Sequence, residues 1–290
     1  MKIHLVDGTY ELFRAYYGVP GVLSPDGIEV GAVRGLVQTL LSLLRQDDVT
    51  HVGCAFDSVV ESFRNKMFPG YKTSDGMPED IKSQFLLAER AAKALGVVVW
   101  PMVDFEADDA IASAVNLWKN DSDVDQIIIC SPDKDLAQMV IGTRVVLLDR
   151  RRRIMIDEEG VKEKFGVCPG SIADYLALVG DTADGIPGIP KWGAKTASVV
   201  LSRYKHIEAI PESHLFWDVE VRGAKTVAEN LMTFKNDAFL YRDLATLRLD
   251  VPIAESTGDM RWVGAKRSEY EEFCNEMGFD RLVSSPHQWL

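Results

Sequence analysis

The sequence predicts an α/β protein whose mostly parallel central sheet is flanked by helices and followed by a smaller helical domain. Three observations lead there: short apolar, β-branched runs recur through the first half, helical patterning separates them, and the strand signal fades beyond about residue 160. With 290 residues and 47% hydrophobic content, the chain can bury a large core in one large domain or two smaller ones.

Taken in order, KIHLV, HVGCAF, VVVW and QIIIC read as strands, and DDAIASAVNLW between the third and fourth reads as a helix. VVLLD and RIMI, around the arginine run 150–153, read as a strand pair joined by a tight turn. SIADYLALVG, AKTASVVLSRY and VAENLMTFKNDAFLYRDLATL read as helices. Residues 61–80 are basic and aromatic at first, then rich in Gly, Pro and Ser, and mark an excursion from the face of the sheet. The expected boundaries are an α/β core over 1–160, a helical domain over 161–260 and a C-terminal extension over 261–290. No run of about 18 apolar residues could span a bilayer, and MKIHLVDG lacks the apolar stretch of a signal peptide, so a cytoplasmic protein without a membrane partner is expected.

Composition narrows the chemistry. Cys54, Cys130, Cys168 and Cys274 are far apart and form no cluster with zinc spacing, which leaves them as ordinary reduced thiols. There are only five histidines, and apart from His4, three residues before Asp7, they lie away from the acidic motifs, which disfavours a zinc hydrolase or a serine/histidine triad. Carboxylates must carry any chemistry. The net charge of −12 argues naively against a nucleic-acid partner, but if nine acids hold metal the remainder carries only about −3.

Three apolar runs each lead to an acid: KIHLV to Asp7, HVGCA to Phe56-Asp57, and QIIIC to Ser131-Pro132-Asp133-Lys134-Asp135. Ligands bind outside the carboxyl ends of strands in open α/β sheets, so these acids can converge. Each alone reads equally as a helix cap or a turn residue. The fourth motif, Glu106-Ala107-Asp108-Asp109, opens a helix, where acids satisfy free N–H groups; yet three carboxylates so close repel one another unless a cation offsets them. The fifth, Gly180-Asp181-Thr182-Ala183-Asp184-Gly185, leads into Ile186-Pro187-Gly188. Magnesium favours such hard oxygen ligands, and two ions roughly 3.5–4 Å apart can position water for in-line attack on phosphorus.

The order VDG, FD, EADD, SPDKD, GDxxDGIPG and GAKTA resembles the 5′-nuclease domain attached to bacterial DNA polymerase I, its stand-alone relatives and, more distantly, the flap endonucleases. The resemblance covers roughly residues 1–250, and no polymerase follows, as in the stand-alone form. It implies a PIN-like nuclease core with a helical arch near 61–85 and a C-terminal helix-three-turn-helix domain. It also implies a magnesium-dependent 5′-3′ exonuclease and 5′-flap endonuclease, with manganese as a substitute ion. Asp7, Asp57, Glu106, Asp108 and Asp109 would surround one ion, and Asp133, Asp135, Asp181 and Asp184 the second. The partner would be DNA with 5′ ends, flaps or branches, met by a monomer.

The same resemblance assigns Lys72 and Arg14 to the scissile phosphate and Tyr71 to stacking on a base. Arg64 or Lys66 stands in for a family arginine where this sequence has Asp75, which either repels phosphate or caps the helix expected near Met77 or Pro78. The segment 188–196, with Gly193, Lys195 and Thr196, resembles the hairpin whose backbone N–H groups meet a phosphate at a helix N-terminus, and Lys191, in place of the commoner glycine, is expected to add a phosphate contact. Family members often bind K+ through carbonyls of this hairpin, and Trp192 is expected to pack. Arg150–Arg153 read as a solvated turn. Two other readings stand beside this one: a ribonuclease of the PIN type, which lacks the helical module, and an inert binder of branched DNA, which would have no need of nine acids.

Overall fold

A computed structural model describes the whole chain, residues 1–290. It divides into two compact units, neither of them one continuous stretch.

The first unit comprises Met1–Val60, Ser74–Ser131 and Leu249–Leu290. Its strands β1 (Lys2–Asp7), β2 (His51–Asp57), β3 (Val98–Met102) and β4 (Gln126–Cys130) pair in parallel in the order β3-β2-β1-β4. The inner strands are buried almost end to end, as expected for a parallel sheet covered on both faces. Helices Gly8–Gly18, Gly31–Leu44, Phe85–Ala94 and Ala107–Trp118 provide the connections. The chain runs from β1 outward to β2 and β3, then returns to the far side of β1 as β4. That reversal puts a topological switch point between β1 and β4, and the crevice beyond it is where ligands bind in sheets of this kind.

Residues 249–290 are integral to this unit. Val52 N–H donates to Met260 O at 2.8 Å, Trp262 N–H to Thr50 O at 2.9 Å, and the buried Trp262 indole to Leu95 O at 2.8 Å. Helix Arg267–Met277 packs on helix Phe85–Ala94, where Arg90 grips Glu276 through two hydrogen bonds and lies over the Phe273 ring. A segment whose backbone groups pair with the start of β2 belongs to the core, which is why the contiguous boundary at residue 260 has no counterpart here.

The second unit comprises Glu61–Thr73 and Pro132–Arg248. β5 (Val145–Asp149) and β6 (Ile154–Ile156) form the expected antiparallel pair, their turn closed by Arg152 N–H donating to Asp149 Oδ1 and by Arg153 at φ +58°. Five helices follow: Glu158–Phe165, Ile172–Val179, Ala194–Tyr204, Ala224–Thr233 and Lys235–Ala245. Helix Ile172–Val179 is buried along almost its whole length against Lys235–Ala245. The long pattern 227–247 is therefore two helices, broken at Phe234 (ψ 26°).

The stretch 61–85 contains two short helices, Phe63–Met67 and Glu79–Lys82, and passes from one unit to the other after Thr73. Pro78 holds the N-cap position of the second helix with no side-chain cap, so the capping role considered for Asp75 falls away. No helix is long and apolar enough to cross a membrane.

Replacing Trp262 with Phe leaves the Leu95 carbonyl unpaired in a buried setting. Urea unfolding is expected to show a loss of about 1–3 kcal/mol, whereas a detachable extension would show none.

Candidate metal centre

The first unit carries five of the nine acids. Asp7 ends β1 and caps helix Gly8–Gly18: Oδ1 accepts from Tyr10 N–H at 2.8 Å and Oδ2 from Ser131 Oγ–H at 2.9 Å. Gly8 is required beside it, because a Cβ there would collide with the Phe56 ring. Asp57 ends β2 in register with Met102; its N–H donates to Thr9 Oγ1 at 2.7 Å, and its Oδ1 accepts from Ala107 N–H at 2.7 Å, at the start of helix Ala107–Trp118. These bonds tie the ends of β1 and β2 to the Glu106-Ala107-Asp108-Asp109 motif. Glu106 and Asp109 are buried, Asp108 is half-buried, and Asp109 Oδ2 accepts from Glu106 N–H at 3.0 Å. One oxygen of Asp109 thus performs the bland capping role.

The second unit carries the other four. Asp135, Asp181 and Asp184 each offer an oxygen within 4.8 Å of the others. Asp133 is exposed and turns the chain into Asp135 by accepting its N–H at 3.0 Å. Asp181 Oδ1 accepts from Ala183 N–H at 3.0 Å, while its Oδ2 lies 2.6 Å from Lys134 Nζ. Asp184 Oδ1 lies 3.1 Å from Lys72 Nζ. Asp135 Oδ1 is buried without a hydrogen-bond partner.

The electrostatics follow from that packing. Burial and then the charges of Asp133, Asp184 and Asp181 push the Asp135 carboxyl well above its ordinary value, with Lys72 opposing. Burial works against the Lys134 ammonium, but the Asp181 hydrogen bond and the Asp181, Asp135 and Asp133 charges overcome it and raise its pKa. Three close carboxylates with one orphaned buried oxygen form a donor set suited to a hard divalent cation. The residues present therefore fit the ion that the sequence implies.

Outside the acids, the phosphate-contacting candidates divide. Lys72 sits beside Asp184: its N–H donates to Asp184 O at 3.0 Å, and Gly185 (φ +74°) lets that loop lie directly on the Gly70 carbonyl, where a Cβ would collide. Tyr71 is only 4% exposed, so its ring is a core group and is not offered to a base as expected. Arg64 is likewise withdrawn, 2% exposed, with its guanidinium donating to Leu244 O at 2.7 Å and Thr246 O at 3.2 Å at the end of helix Lys235–Ala245. It cannot replace the missing arginine, whereas Lys66 is exposed. Arg14 is half-buried and engaged by the buried Glu11 and by Thr39 Oγ1.

In the 188–196 hairpin, Lys191, Gly193 and Lys195 are exposed and Thr196 is half-buried; Gly193 is the N-cap of helix Ala194–Tyr204 and Lys191 sits at φ +73°. Trp192 packs as expected, its indole donating to Val227 O at 3.0 Å. Sequence reasoning passed over Lys134, although it stands inside the SPDKD motif. Its one signal was a cation between two acids, which leaves its direction undetermined.

Comparison with known proteins gives a consistent result. The model for "5′-3′ exonuclease, N-terminal resolvase-like domain" matches residues 2–166, and that for "5′-3′ exonuclease, C-terminal SAM fold" matches residues 167–268. A 5′-3′ exonuclease of Buchnera aphidicola is 34% identical over 278 residues, covering 93% of this chain and 89% of the relative. DNA polymerase I of Pseudomonas aeruginosa is 35% identical over 259 residues, 86% of this chain but only 27% of the polymerase. Among solved structures, the bacteriophage T5 D15 flap endonuclease with DNA and metal ions matches at TM-score 0.66 and 18% identity, covering 98% of this chain and 96% of that one; this likeness concerns the fold.

A carboxyl whose pKa rises on folding stabilises the protein below its ordinary value and withdraws that stability as pH climbs. In EDTA, the protein is expected to lose stability from about pH 3.8 upward through the raised Asp135 value. Asp135→Asn should flatten that part of the profile and be the more stable protein at neutral pH, as read by urea unfolding across a pH series.

Proposed function

The chain belongs to the 5′-3′ exonuclease family, and from that premise we propose that this nuclease hydrolyses DNA phosphodiester bonds at 5′ ends and 5′ flaps with divalent metal. The observation that carries this reading is the second-unit carboxylate group, with Asp135 Oδ1 buried and unpartnered beside Asp181 and Asp184. Nothing in DNA binding alone calls for such an arrangement, since phosphates are gripped by cations.

In this reading Asp135, Asp181 and Asp184, with Asp133 acting through water, hold one magnesium ion, and Asp7, Asp57, Glu106, Asp108 and Asp109 hold a second, with manganese able to replace either. When bound, such ions supply Lewis-acid stabilisation of the attacking and leaving oxygens. The chain's own groups do the rest. Lys72 exchanges Asp184 for a non-bridging oxygen of the scissile phosphate and offsets charge that builds there. Arg14 adds a cation nearby once it releases Glu11. Lys191, Lys195, Thr196 and the Gly193 N–H engage a phosphate further along the strand at the start of helix Ala194–Tyr204, fixing position without reading sequence. The K+ of the resemblance belongs to that same hairpin, and the protein acts as a monomer.

The test is a 5′-flap duplex labelled separately at each end, digested with and without magnesium. Release of flap and of short 5′ products only with magnesium supports the proposal. Asp133→Ala and Asp135→Ala are expected to remove most cleavage while DNA affinity stays within about tenfold, because these groups hold ions and do not grip DNA. Full activity of the double variant would refute the reading.

A further inference from the structure

Besides Lys72 at Asp184, the carboxylate group holds a second cation, Lys134. Its Nζ lies 2.6 Å from Asp181 Oδ2, and Asp181 is 3% exposed with its other oxygen committed to Ala183 N–H. Oδ2, the oxygen not already bonded to the backbone, is the one the ammonium meets. Lys134 also immediately precedes Asp135, whose Oδ1 has no partner. Two lysines reach this group of acids, Lys72 at Asp184 and Lys134 at Asp181.

Resting on the metal-dependent reading above, we propose that Lys134 is a built-in competitor of the metal ion. It stands in for the ion at Asp181 when the site is unloaded, and it weakens the ion's binding when metal arrives. Two effects follow from one charge. Unloaded, the ammonium screens Asp181 from Asp135 and Asp184, so the second unit folds without metal. On loading, the ion must either displace the ammonium from Oδ2 or share that oxygen with it, and both cost binding free energy. Lys134 is a positioning residue in this account: it acts on the ion's ligand and touches no substrate.

The test measures metal binding on the full chain without DNA. Magnesium and manganese are titrated by calorimetry into wild-type protein, Lys134→Met and Lys134→Arg, with melting in EDTA recorded in parallel. The methionine variant is expected to bind either ion roughly three- to tenfold more tightly, to melt lower in EDTA, and to gain more from added metal than wild type does. The arginine variant keeps the charge and should stay near wild type, which also guards against a folding defect in the methionine variant. Unchanged or weaker metal binding by Lys134→Met would overturn the competition. Asp181→Asn separates the two readings. If it removes or weakens the binding of one ion while Lys134→Met leaves every affinity unaltered, only the role of Lys134 fails. If Asp181→Asn binds the same number of ions with the same affinities as wild type, the carboxylate group is not an ion's site, and both readings fall.

Discussion

Repulsion among the aspartates of the second unit sets the terms on which that unit folds. Asp135 is buried, and Asp133, Asp181 and Asp184 add to the cost of its charge. The surrounding loops answer that cost one oxygen at a time. Backbone N–H groups of Asp135 and Ala183 satisfy Asp133 and Asp181, and two lysines from different parts of the chain complete the set. One buried oxygen remains unanswered. Natural structures leave few such atoms, and those they keep mark strain, chemistry or an ion. The electrostatic deficit and the proposed catalysis are thus two descriptions of the same arrangement.

In the first unit the organising constraint is topological. Because β4 returns to the opposite side of β1 from β2, no helix closes over the carboxyl ends between them. Acids at these strand ends are tied into neighbouring segments: Asp57 accepts from the start of helix Ala107–Trp118, and Asp7 from Ser131. Capping and ligation are not exclusive at these positions. A carboxylate held by a backbone N–H through one oxygen has its orientation fixed and its second oxygen presented in a defined direction.

Much of this was legible in the sequence because the signals are local. Strands buried on both faces leave unbroken apolar runs, and the acids end those runs, so QIIIC and the Asp7 and Asp57 motifs could be read directly. The failures share a cause as well. The pairing of residues 260–262 with 50–52 spans some two hundred positions and leaves no periodic trace. Arg64 looked like a surface cation because nothing near it in sequence reveals the Leu244 and Thr246 carbonyls that take its protons. Tyr71 and Lys72 are neighbours with opposite fates, one buried and one beside the carboxylates, and only packing decides which. That Asp135, Asp181 and Asp184 lie close together could be expected from their motifs; their partners could not.

The contact at Gly185 fixes more than a turn. With the 180–190 loop lying on the Gly70 carbonyl and Lys72 N–H bonded to Asp184 O, these two stretches of backbone form a single rigid mount. The root of the Lys72 side chain cannot drift from Asp184, so the ammonium moves only by rotation about its own bonds. Its reach is then a gauge cut to the length of four methylenes. On the proposed function a phosphate would be touched within that radius and missed beyond it, which would make alignment of the strand, more than charge, the condition for engaging it.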